Sequence, residues 1–412
     1  MKKRFVDPFT PDLPVDDPSK FSGRLTPINA VVDCLYQLAN GQPRYAIITG
    51  DRGIGKSSVL RQTKSITEGN FDLLLRLDID PGVSTYDFVS AWHDCAPDQT
   101  PASLASGILS QLETAAAGFF KGFKFEINVA GLKVAAKDPN LSDLTNVVTL
   151  FCTEISKFSR KAALENKSGI VLFFDELDRV KANSGVATFF KLTAEKLARD
   201  GIKNVAVFAA GITGAVQNLE EEHGSINRTF TDIPLPRLTQ EEVGQILRTG
   251  FDSVGCTFDE IVIDKIFALC AGYPEPVHLL GSQILRSDID DHLSVDDFFL
   301  AEKEVVETIR RNKLSTTLKD AGAGKYQKIL HAMSTFAGAA VPLSHISTET
   351  GYEQNQLSSN MGTLVKRGVI NLATRGFYSF VDPLLKVYIS RFGVIQVEGE
   401  SEEDAESTTP PV

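Results

Sequence analysis

A chain of 412 residues has room for two or three domains, and its 42% hydrophobic content is that of a globular protein with a full core. A net charge of −11 argues against strong non-specific nucleic-acid binding, leaving a local basic face open. No apolar run is long enough to span a membrane and no signal-like segment follows the basic start, so a cytoplasmic protein is expected; five scattered cysteines without CxxC spacing point to neither zinc nor a disulfide framework.

Residues 1–20 are rich in Pro and Asp and read as extended. Phe21-Ser22-Gly23-Arg24 precedes a predicted helix near 28–38. The run Tyr45–Thr49 predicts a strand over about 44–49, and Gly50-Asp51-Arg52-Gly53-Ile54-Gly55-Lys56-Ser57 follows it directly, with a helix predicted over 56–67. That is G-x-x-x-x-G-K-S between strand and helix, the setting of a loop that binds nucleoside triphosphate. Glycines let successive backbone N–H groups turn inward around phosphate oxygens, and the helix start adds its positive end. Lys56 is expected to reach the β- and γ-phosphates, Ser57 to ligate Mg²⁺, and Ser58 to belong to the same cradle. The plainer alternative is an ordinary Gly-rich turn.

Further along, 73–78 reads as a strand, and 85–94 and 102–118 read as helices. Phe123–Val129 alternates strictly and resumes after Gly131, which predicts a β-hairpin insertion at about 122–136. Such a hairpin either covers the core or contacts DNA or protein. A helix over about 142–164 leads to Gly169–Phe174, a continuous apolar strand ending in Asp175-Glu176. Asp175 would hold Mg²⁺ directly or through water, and Glu176 would orient and deprotonate the attacking water. Asp178 could join them or cap a helix. A helix near 184–199 and a strand at 205–210 follow, and Thr213 is weighed as a γ-phosphate sensor against a plain turn.

The block from 238 to 312 has helical periodicity throughout, with an N-cap at Leu238-Thr239-Gln240-Glu241-Glu242 and a helix opened by Gly272-Tyr273-Pro274. Residues 313–395 predict helices at 325–335, 342–350 and 355–367, then a ribbon at 368–372 and 376–380, which together make a winged helix. Its recognition helix would present Gln354, Asn355, Gln356, Ser358, Ser359, Asn360, Lys366 and Arg367, with Arg375 on the wing. DNA contact and protein contact both remain open, because positive charge is sparse there. The tail, 396–412, holds six acids, about half of the charge imbalance, and reads as disordered.

With these motifs in place, the chain over roughly 21–393 resembles the AAA+/STAND branch of P-loop ATPases, especially archaeal-type ATPases with a C-terminal winged helix, and more distantly the origin-recognition ATPases. The resemblance implies an α/β fold: a P-loop NTPase parallel sheet flanked by helices over 21–237, then an all-α lid over 238–312 and a winged-helix domain over 313–395. It implies ATP and Mg²⁺, hydrolysis that is slow without a partner, and a switch whose nucleotide state controls homo-oligomer assembly and engagement of DNA or a protein. The alternative it leaves is a DNA-binding ATPase of origin-recognition or loader type. Phe21, Gly23 and Arg24 match the F-x-G-R motif that helps to hold adenine. Pro274 of the Gly-x-Pro motif would lie beside the nucleotide. Arg228 sits where an arginine finger acting in trans would be expected, with a surface arginine as the equal alternative and Arg237 as runner-up. A sensor-2 arginine has no clear equivalent near Gly272, and His278 is the residue on that helix that would take its place.

Overall fold

The computed structural model describes residues 4–119, 141–181, 183–212, 228–338 and 340–394. The hairpin expected at 122–136, Thr213 and the acidic tail lie outside these residues. The chain divides into two compact units, Pro8–Gly250 with Tyr273–Glu275, and Phe251–Gly272 with Pro276 onward and the N-terminal residues to Asp7.

The first unit is built on five parallel strands: β1 (Tyr45–Gly50), β2 (Phe88–Asp94), β3 (Gly169–Asp175), β4 (Val205–Ile212) and β5 (Phe230–Pro234), in the order β2-β3-β4-β1-β5. β1 and β3 are buried along their whole length, as expected of strands covered on both faces. The flanking helices are α1 (Leu25–Ala39), α2 (Lys56–Thr67), α3 (Asp72–Arg76), α4 (Pro101–Phe119), α5 (Leu141–Leu164) and α6 (Val186–Arg199). Aromatic rings join the layers: Phe151 meets Phe189 with centroids 5.2 Å apart, and Phe174 meets Phe190 edge-on at the same separation.

Two sequence expectations are corrected in this unit. Residues 73–78 do not form a strand; Asp72–Arg76 is a short helix, started by the Asn70 side chain accepting the Asp72 N–H at 3.0 Å. A run of three leucines favours helix as readily as strand, and only Leu73 and Leu74 are buried while Leu75 is 79% exposed. The helix expected at 85–94 is instead strand β2, in register with β3 from Phe88–Gly169 to Asp94–Asp175. The open edge of a buried sheet decides this segment, and its Val and aromatic residues fit a pleated surface. β5 is a further strand, too short to show a period in the sequence.

The second unit begins within α7 (Gln240–Val254), whose start is a reciprocal cap: Glu242 N–H donates to Thr239 Oγ1 at 3.2 Å, and Thr239 N–H donates to Glu242 Oε2 at 2.8 Å. It continues through α8 (Glu260–Cys270), α9 (Pro274–Ser287) and α10 (Val295–Glu304). The expectation of unbroken helical character is corrected by two parallel two-residue strands, β6 (Thr257–Phe258) and β7 (His292–Leu293). A π-turn at Val305–Ile309 leads into α11 (Arg311–Asp320). Helices α12 (Lys325–Thr335), α13 (Leu343–Thr350) and α14 (Gln354–Lys366) follow. A two-residue strand, β8 (Val341–Pro342), lies between the first two, and an antiparallel hairpin of β9 (Ile370–Thr374) and β10 (Phe377–Phe380) comes after the third. These are the elements of a winged helix. The pairing of β8 with β10 and a closing helix, α15 (Leu384–Phe392), go beyond what the sequence pattern indicates.

Candidate functional site

The parallel register brings the C-terminal ends of β1, β3 and β4 together, with Gly50 opposite Ile212 and Phe174 opposite Ala209. Open α/β sheets place their chemistry at this edge. The loop from Gly50 to Gly55 turns here through left-handed backbone at Gly53 (φ 76°) and Gly55 (φ 96°), conformations that a side chain disfavours. Ile54 is buried between them, and Arg52 is exposed. α2 begins at Lys56 immediately after Gly55, so its free N–H groups face the loop.

Lys56 Nζ donates to the carbonyl oxygens of Gly50 (3.0 Å) and Asp51 (2.9 Å). Burial lowers its pKa, opposed by the charges of Asp178, Asp175 and Asp51. Asp175, at the end of β3, is 6% exposed. Burial raises its pKa, opposed by hydrogen bonds from the Ser57 side chain and the Glu176 N–H. Glu176 has φ 55°, a left-handed conformation that costs a non-glycine residue on the order of 1–2 kcal/mol. Its carboxylate meets Arg179 at 2.8 Å, and partial burial raises its pKa. Asp178, in a single turn of 3₁₀ helix, is exposed.

A hydroxyl in the first turn of α2 and a buried carboxylate at the end of β3, with the Lys56 ammonium on the loop carbonyls, suit a divalent cation carried with a polyphosphate. Hard oxygen donors in this number fit Mg²⁺, which retains water and phosphate oxygens as its remaining ligands.

The neighbouring residues take different places. Phe21 is in the hydrophobic core, and its carbonyl accepts from Arg76 at 2.8 Å. Arg24 is 4% exposed, and its guanidinium donates to the carbonyls of Ile54 (2.7 Å) and Pro236. Its N–H donates to Glu242 Oε1 at 2.8 Å. Burial pushes the guanidinium down to about 10. A Cβ on Gly23 would lie 2.2 Å from that same Glu242 oxygen. Ser58 points away from the loop, with its Oγ accepting the Val15 N–H at 3.0 Å. Pro274 stands against the loop, 3.7 Å from where a Cβ on Gly55 would be.

Arg228 is exposed just ahead of β5, whose first residue pairs with Tyr45. It therefore lies at the opposite end of the sheet from Gly50, about 17 Å away along β1 alone. Arg237 donates to the Tyr273 hydroxyl at 3.1 Å, and its guanidinium lies 4.6 Å from the Tyr273 ring centroid. His278 is buried within α9 in the second unit.

Sequence reasoning misses three further residues that are tied to the loop or to residues beside it. Tyr273 donates its hydroxyl to Asp51 Oδ2 at 2.8 Å; its signal is the middle position of Gly-Tyr-Pro. Glu242 joins the start of α7 to Arg24, although its place in the sequence marks it only as a first-turn acid. Asp94 is the register partner of Asp175, a relation that a helix over 85–94 would conceal.

Residues 20–199 match the AAA ATPase domain family. No curated protein matches the chain. Among solved structures, the Walker-type ATPase PABY2304 of Pyrococcus abyssi is similar at 17% identity and a TM-score of 0.59, covering 92% of this chain and 99% of that one. The Aeropyrum pernix ORC2 protein, in ADPNP–ADP complexes, is similar at 16% identity and a TM-score of 0.51, covering 88% of this chain and 93% of that one. At these identities the likeness is one of fold.

Proposed function

We propose, from the premise that this chain is a P-loop ATPase with an AAA ATPase domain over residues 20–199, that it is an ATP-driven switch. The observation that carries the reading is Lys56 Nζ on the carbonyls of Gly50 and Asp51, at the start of α2, with the buried Asp175 closing the neighbouring strand β3. The backbone from Gly50 to Ser57 receives the phosphates of ATP, and Lys56 exchanges the carbonyls of Gly50 and Asp51 for β- and γ-phosphate oxygens. Ser57 and Asp175 hold Mg²⁺, which when bound offsets charge developing on the phosphate oxygens. Glu176 orients a water and takes its proton. The Aeropyrum pernix ORC2 structure, named for its ADPNP and ADP complexes, supports adenine over other bases.

Pro274 beside the loop and the start of α9 pass the nucleotide state along the chain into the second unit. There the winged-helix elements engage a partner. A protein partner is favoured over DNA by two observations. Arg367, one of the few cations near α14, donates to the Ala321 carbonyl and lies over the Tyr326 ring. The hairpin exposes Leu372 and Phe377. Arg228, on the far end of the sheet from its own loop, serves as an arginine finger only toward a neighbouring copy.

The test is ATP binding and turnover by the wild type, Lys56→Ala and Glu176→Gln, with size followed by light scattering in ATP. Lys56→Ala should lose nucleotide binding. Glu176→Gln should bind ATP, barely hydrolyse it, and accumulate in the ATP-dependent assembly. Wild-type hydrolysis by Glu176→Gln would overturn the assignment of the general base, and a monomer in every condition would remove Arg228 from the mechanism.

A further inference from the structure

The loop that receives phosphates carries a carboxylate of its own, Asp51, as its second residue. A negative charge within several ångströms of a polyphosphate opposes binding, and the opposition is strong where water is scarce. Asp51 is close enough to Lys56 to affect its charge, and its backbone carbonyl holds the Lys56 ammonium at 2.9 Å. Where this carboxylate points therefore matters to the whole cradle.

We propose that Tyr273, backed by Arg237, is a positioning residue that screens the Asp51 carboxylate and so sets the affinity for the charged tail of the nucleotide. The donors run in one direction: Arg237 Nη2 to the Tyr273 hydroxyl at 3.1 Å, and the Tyr273 hydroxyl to Asp51 Oδ2 at 2.8 Å. A hydroxyl that accepts from a guanidinium is a stronger donor to a carboxylate, because bonds in such a chain polarise one another. Tyr273 is 1% exposed, so water does not replace it readily. The Arg237 guanidinium also lies over the Tyr273 ring, which fixes the ring's orientation and brings a positive charge one hydroxyl away from Asp51. Tyr273 immediately precedes α9, so the screen is attached to the same turn that places Pro274 against Gly55.

The inference rests on the reading of Gly50–Ser57 as a phosphate cradle, and the experiment separates the two. Tyr273→Phe removes the hydroxyl and leaves the ring under Arg237. Binding of MgADP and of the non-hydrolysable MgAMPPNP is measured by calorimetry on the full chain, with thermal melts to establish that each variant is folded. Tyr273→Phe should weaken binding about tenfold, the size of one hydrogen bond to a charged group, and more for the triphosphate than for the diphosphate. Adding Asp51→Asn to Tyr273→Phe removes the charge that needed screening, and should restore affinity to within roughly twofold of wild type. Unchanged affinity in Tyr273→Phe overturns the proposal. So does an equal loss for both nucleotides that Asp51→Asn does not rescue, which would mean a packing role. Lys56→Ala in the same series tests the cradle itself: wild-type affinity there sinks the underlying reading, whereas loss there with none in Tyr273→Phe sinks only the screen.

Discussion

Replacing Arg24 by Met separates two roles for the residue after Gly23. The F-x-G-R resemblance implies help with adenine, whereas the guanidinium is seen holding the loop's Ile54 carbonyl and the Pro236 carbonyl beyond β5. Two charge-assisted bonds of this type contribute about 3–6 kcal/mol. Against them stands the cost of burying the charge, which the fall to about 10 places on the order of 3 kcal/mol. Methionine keeps the apolar stem and relieves that cost, but leaves two carbonyls without their donor, which moves the balance toward the upper end. The expected loss is about 2–3 kcal/mol. In a unit of this size that corresponds to a melting temperature lower by roughly 4–10 °C. Differential scanning calorimetry without nucleotide reads it directly. A melting temperature within about 1 °C of wild type, together with a selective loss of affinity for adenine nucleotides, would refute the clamp and assign the guanidinium to the base.

Gly23→Ala places a methyl group 2.2 Å from Glu242 Oε1 in left-handed backbone; displacing Glu242 disturbs both the Arg24 N–H and the cap of α7, and urea denaturation should show a loss of about 2–4 kcal/mol. Gln62, fully buried, donates through Nε2 to the carbonyls of Val15 and Asp16; Gln62→Ala should release the segment 8–20 and increase its cleavage rate in limited proteolysis at least severalfold. All five cysteines are buried, and burial raises Cys34 to about 11 and Cys95 and Cys152 to about 12. The folded state therefore holds the thiol protons more tightly than the unfolded state. Stability from this source is complete below the unfolded value of about 8.5 and falls as pH rises toward 11–12. At pH 8 an aromatic disulfide reagent should titrate no thiols rapidly in the native protein and five after unfolding.

Local chemistry makes the turn from Gly50 to Gly55 and the helix start after it legible from the sequence. Gly53 and Gly55 need left-handed backbone, Lys56 opens a helix, and the apolar run before Asp175 can only be buried; each signal is contained in a few consecutive residues. Helices α12, α13 and α14 are legible for the same reason, since a helix repeats its pattern every turn. Segments 73–78 and 85–94 are ambiguous because their composition suits either structure, and the vacant place beside β3 settles the second. β5 and β8 are too short to carry a period of their own, and pairing alone makes them strands. Contacts between distant residues are beyond the sequence altogether: Arg24 with Glu242 is a separation of 218 residues, and Asp51 with Tyr273 one of 222. A side chain's type and its neighbours along the chain determine where the glycine loop turns and where the helix after it begins. Which carboxylate accepts from Tyr273, which arginine is buried against the loop, and which lies at the far end of the sheet follow only from the register of parallel strands and the return of the chain at Gly272-Tyr273-Pro274, because those are set by burial summed over the whole core.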